Sequence, residues 1–146
     1  MPEVTTSRAI DASQSAVWSL VSNPQRFAEW NTLHLRWDEV PPAELTAGAR
    51  VVDVVKIKGI VDTIAFTVDD IRVPEFLSLS GSGSTGSTVV LDVSVTDGAA
   101  TGCLVTLHIV FSSSVLFGPL GKVVEKAFRT QLDASLDKLA AAFVGA

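Results

Sequence analysis

Apolar and polar positions change their period twice along this chain, and each change marks a change of element. The opening run VTTSRAI, residues 4–10, is short and compatible with a strand. Asp11 and Ser13 then each offer a side-chain oxygen to the free N–H groups of a helix that carries Val17, Trp18 and Val21 at helical spacing. Asn23-Pro24 repeats the signal, because asparagine suits an N-cap and proline suits the first helical position, where its missing N–H costs nothing. A second short helix is expected from Pro24 to Glu29, so residues 11–31 read as helix, kink, helix.

From residue 33 to residue 111 the period becomes two. The runs LHLRW, RVVDVVKIKG, DTIAFTVDDI, VPEFLSLSG, TVVLDVSV and CLVTLHIVF are separated by turn residues and predict about six strands in antiparallel succession. Connections are short, and Asp97-Gly98 is a strong hairpin signal. After Gly118-Pro119 the period lengthens again: Val124, Phe128, Leu132, Ser135, Leu139 and Phe143 fall on one stripe of a long terminal helix. The expected class is α+β. A curved antiparallel sheet of about seven strands, wrapped around the C-terminal helix, is the most economical way to bury that stripe, with the two short helices following the first strand.

Length fits one domain spanning residues 1–146. The apolar fraction of 47% against 18% charged residues excludes disorder and leaves more apolar interior than a chain of this size requires, so an apolar guest is expected. The net charge of -5, with the basic residues scattered, weighs against nucleic acid and against an anionic membrane as partner. One cysteine, Cys103, cannot form an intrachain disulfide, and the first ten residues lack a charged region followed by an apolar run; together these predict a cytoplasmic address. The most apolar stretch is interrupted by His108 and three serines and is not read as a membrane span.

The run IDASQSAVWSLVSNPQRFAEWN resembles the first motif of the START-like, helix-grip superfamily (SRPBCC), which includes polyketide cyclase/dehydrase-like and lipid-carrier proteins. GPLGKVVEKAFRTQLDASLDKLAAAF is similar to its terminal helix. VPEFLSLSG occupies the place of the turn-then-strand segment, although the position of Leu79 is often aromatic in the family. The resemblance spans nearly the whole chain and implies a cavity between sheet and helix for an apolar or amphipathic small molecule. It says less about chemistry, since similar scaffolds serve carriers, cyclases, hydroxylase subunits and chaperone co-factors.

Candidate chemistry is sparse. GSGSTG, residues 81–86, fits G-x-G-x-x-G literally, but a strand pattern follows where a dinucleotide site needs a helix, so a mobile hairpin at the cavity mouth is expected instead. His34 and His108 alternate with Leu33/Leu35 and Leu107/Ile109 and are expected to face away from the cavity; no metal and no cofactor are expected. Cys103 reads as a small packing residue. In VVDVVKI the lysine-bearing parity marks the solvent face, which points Asp53 inward unless a bulge or an edge leaves it wet, or Arg129 or another basic group pairs with it. Trp18 reads as core. Trp30, at the end of the second helix, divides between core and the rim of the cavity.

The ligand-facing set expected from alternation and from the resemblance is Trp30, Leu33, Asp53, Phe66, Leu79 and Leu91, with Leu107, Leu120, Val124 and Phe128. Asp53, Asn31 or Gln131 would orient the guest. The leading function is binding or carriage of a lipid, isoprenoid or polyketide-like molecule. The alternative is a cyclase/dehydratase-type enzyme that uses Asp53 as acid or base. A third reading is an interaction module with an outer apolar patch at Val52 and Val54. A homodimer or a protein partner is compatible with all three.

Overall fold

The computed structural model describes residues 3–57, 59–84, 86–98, 102–113 and 119–143, with the side chains of residues 119 and 120 excepted. The order is β1 (Glu3–Ile10), α1 (Gln14–Val21), a 3-10 helix (Pro24–Glu29), then β2 (His34–Trp37), β3 (Arg50–Ile57), β4 (Ile60–Arg72), β5 (Phe76–Gly83), β6 (Thr88–Asp97), β7 (Cys103–Ser112) and α2 (Pro119–Ala141). Ser13 caps α1 by accepting from the Ala16 N–H, and Asn23 caps the 3-10 helix by accepting from Gln25, with Pro24 at the first position. Polar side chains thus start both short helices, Ser13 after β1 and Asn23 at the joint between the two helices.

The seven strands form one antiparallel sheet in the order β1-β7-β6-β5-β4-β3-β2. The register places Val51, Phe66, Gly81, Val89 and Phe111 in one row across five strands. Partners across a ladder share a face, so this row is continuous on the concave side. Gly81 is required there: a Cβ would lie 2.6 Å from the Ala65 carbonyl oxygen and 2.9 Å from the Phe66 ring. Register shifts between Val68 and Asp70 and between His34 and Arg36 bend the sheet.

Helix α2 lays Phe128, Leu132, Leu136 and Leu139 into the common core, while Lys126 and Lys138 stay exposed. Its far face meets β1 through polar pairs, Thr6 donating to Asp133 and Arg8 pairing with Asp137. One polar residue lies within the stripe. Ser135, 1% exposed, accepts from the Thr32 N–H at 3.0 Å, and the Thr32 hydroxyl donates to the Gln131 carbonyl at 2.8 Å. These bonds tie the end of the short-helix segment to the middle of α2. The arrangement is the helix-grip fold.

Leu132 is 2% exposed. Leu132→Ala is expected to lower unfolding free energy by about 2–5 kcal/mol in urea titrations; a loss below about half a kcal/mol would place the helix elsewhere.

Candidate functional site: an apolar cavity with a buried Asp–His pair

Concave sheet and helix do not meet everywhere. Between them lies a cavity of about 200 Å3, walled by Val51, Val55 and Ile57 of β3, Ile64 and Phe66 of β4, and Leu79, Val89, Leu91, Ile109 and Phe111 of β5 to β7. Val124 and Phe128 of α2 close the opposite side, and Phe27, Asn31, Leu33 and Trp37 close the inner end. The volume is below the roughly 300–1,000 Å3 of drug-sized sites, which suits a slim chain or a small ring system.

The wall is almost entirely carbon, and Asp53 is a buried carboxyl set into it. His34 Nδ1 lies 2.5 Å from Asp53 Oδ1, and the two side chains are 4% and 5% exposed. Burial pushes the Asp53 carboxyl above its ordinary value; the hydrogen bond and charge of His34 and the Val54 N–H pull it down by less. Aromatic rings enclose the pair: His34 stands 4.7 Å from Trp37 and 6.0 Å from Phe27, centroid to centroid. Trp37 is fixed in turn by its Nε1–H, which donates to the Pro24 carbonyl at 2.9 Å.

His34 therefore faces inward, contrary to the expectation from alternation. The cause is the β-bulge between His34 and Arg36. His34 pairs with Val55, Arg36 with Val54 and Trp37 with Asp53, so Leu35 is the extra residue and the parity of β2 flips across it. His34 and Trp37, three positions apart, both point at the cavity side, and Leu35 is left 47% exposed. The partner of Asp53 is accordingly His34; Arg129 instead reaches the Thr5 carbonyl. His108 lies on the outer face as expected, beside Asp92 and Glu3.

The opposite end of the cavity is lined by Ile57 and Ile60 of the β3–β4 hairpin, Asp62, Ser87 before β6, Ser113 after β7, and Val124. Ile60 is 67% exposed and lines the cavity as well, which locates the mouth at this hairpin. Asp62 accepts from the Ser84 N–H and hydroxyl through Oδ1 and from the Ser87 hydroxyl through Oδ2. Gly83 leaves room for that clasp, since a Cβ there would lie 2.2 Å from both Asp62 Oδ2 and Ser87 Oγ. GSGSTG is thus a strand end and a hairpin turn, with β6 following it.

Of the residues expected to face a ligand, Leu33, Asp53, Phe66, Leu79, Leu91, Val124 and Phe128 line the cavity. Leu107 is buried in the core outside the lining, and the side chain of Leu120 lies outside the described residues. Trp30, divided between core and rim and included in the ligand-facing set, belongs to the core: it is 2% exposed, absent from the lining, and packs edge-on against Phe27 with its Nε1–H unpartnered. Gln131 lines a separate polar cleft with Thr32, His34 and Lys56. Val52 and Val54, expected on an exposed patch, are 4% and 1% exposed, flanked by β2 and β4. Phe27 and Trp37 also belong to the cavity, Phe27 from the 3-10 helix and Trp37 as the ladder partner of Asp53; no local sequence pattern marks either as lining. Among the described residues no three His, Cys, Asp or Glu side chains converge as metal ligands, and no helix is long and apolar enough to cross a membrane.

Fold and cavity together define a helix-grip protein of START type. Residues 1–144 match the family described as polyketide cyclase/dehydrase and lipid transport, and the chain belongs to it. It is 28% identical to Toxin Rv0910 of Mycobacterium tuberculosis (strain ATCC 25618 / H37Rv), over 99% of this chain and 100% of that one. Among solved structures it is similar to a START superfamily protein from Mycobacterium smegmatis, with a TM-score of 0.77 at 15% identity over 96% of this chain and 95% of that one. The XoxI protein from Bacillus cereus gives 0.74 at 21% identity, over 99% and 97%. At such identities the structural likeness concerns the fold.

Trp37, rather than Trp30, is expected to report occupancy: the change in intrinsic fluorescence on binding an apolar dye should persist in Trp30→Phe and largely vanish in Trp37→Phe. Asp53 makes a pH-dependent prediction. Below the ordinary carboxyl range folded and unfolded chains both hold the proton, and burial carries no ionic cost. As pH rises from there through the raised folded-state value, the unfolded chain ionises first and wild type loses stability. Asp53→Asn, which keeps the acceptor for His34, should therefore gain progressively on wild type in urea midpoint as pH rises from about 4, the ordinary carboxyl value. A constant difference over that rise would refute the assignment.

Proposed function

We propose that this protein binds and carries an apolar small molecule, of lipid, isoprenoid or polyketide-like type, in the cavity between sheet and α2. The observation that carries the reading is an unfilled space walled by carbon inside an otherwise close-packed core, where a void without an occupant forfeits dispersion contacts. Membership of a family described by cyclisation, dehydration and lipid transport supports it.

One observation favours an enzymatic use of the same cavity. Asp53 supplies a proton acceptor on the wall of an apolar pocket, backed by His34, where an aldol closure or loss of water from a poly-β-ketone would need one. Turnover of such a mimic, lost in Asp53→Asn while binding persists, would establish it. The interaction-module reading loses its surface, because Val52 and Val54 are buried.

Native mass spectrometry of the protein as purified, followed by organic extraction, is the direct test of carriage. Nile red should bind saturably. Leu91→Trp, which fills the cavity, should weaken that binding at least about tenfold while stability moves by no more than about 1 kcal/mol. Dye binding indifferent to Leu91→Trp would remove the cavity from consideration.

A further inference from the structure

We infer that the cavity selects apolar molecules that carry a neutral hydrogen-bond donor, an alcohol or a phenol, and rejects those that end in an anion. This rests on the cavity reading above and adds the chemistry of the head group. Asp53 lines the space, while its Oδ1 is held by His34 Nδ1. A carboxylate is an acceptor only. A guest with an O–H beside it returns a hydrogen bond to a desolvated group; a guest of equal shape without one, such as an ether, covers the carboxylate and returns nothing.

An anionic guest fares worse. Its own carboxylate would come within a few ångströms of Asp53 in a wall of carbon, where like charges repel strongly. No Lys or Arg side chain stands among the described lining residues to offset this. Lys56 sits in the separate polar cleft with Gln131. Asp62, a second carboxylate, lines the cavity beside the mouth, where Ser84 and Ser87 hold it in place. An incoming acid thus passes one carboxylate and meets another.

The experiment is displacement of Nile red by three probes of equal chain length: decanol, decyl methyl ether and decanoate. In wild type decanol is expected to bind at least about tenfold more tightly than either of the others. Asp53→Asn, uncharged and able to donate through its amide, should raise decanoate affinity relative to decanol by about tenfold, each value being referred to the Nile red affinity measured in the same variant. Asp53→Leu should bring decanol and the ether within about twofold of each other. Ether or decanoate binding wild type as tightly as decanol would overturn the selectivity and leave the cavity reading standing. If Nile red bound saturably in no variant and not in wild type, the cavity reading itself would fall.

Discussion

The stripe of Phe128, Leu132, Leu136 and Leu139 has to leave water, and a flat sheet could cover only one side of it. Most of the architecture answers that constraint. Seven antiparallel strands with bulges in β2 and β4 curl far enough to wrap the helix, and the segment between β1 and β2 is spent on α1 and the 3-10 helix, which add Val17, Trp18, Leu20 and Val21 to the same core. A concave surface wide enough to hold a helix is also too wide to be filled by it, and the residual space lies along β3 to β7, beside the first turns of α2. The cavity is a consequence of curvature before it is an adaptation to a ligand.

What the sequence made legible followed from local physics. Capping by Ser13 and Asn23-Pro24, the terminal stripe, and the inward parity of Asp53 each depend on a few neighbouring residues, and each stands in the structure. Reasoning by alternation broke where the backbone changes parity. Nothing in NTLHLRW announces an extra residue at Leu35, yet that residue turns His34 inward and assembles the Asp–His pair. The tryptophans show the same limit: Trp30 and Trp37 each follow a charged residue, Glu29 and Arg36, and only the path of β2 decides that Trp37 reaches the cavity. The lysines that share the parity of Val52 and Val54 point to an exposed face, yet both valines are buried, on a strand with β2 and β4 on its two flanks.

The Asp53–His34 pair sits at odds with its surroundings. Burying two polar side chains in carbon costs more than their mutual attraction returns in most settings. Asn31, also buried, accepts from the Leu33 N–H, whereas the Asp53 and His34 side chains bond to each other. The position of Asp53 on the cavity wall, rather than at a cap or a turn, links the pair to whatever fills that space.

The clasp between Thr32 and Ser135 has a different reach. Leucine and phenylalanine side chains interlock with their neighbours, but a repeating apolar stripe distinguishes weakly between one interlocked setting of the helix and the next along its axis. A hydroxyl that must find one N–H is not indifferent; it works as an index mark, and it stands between Leu132 and Leu136 where a displacement of one turn, about 5.4 Å, would strand it without a partner. With the axial setting of α2 fixed by that mark, the size of the cavity can drift through substitutions at Val124 and Phe128 alone, and related chains could vary their guests without moving the frame that holds them.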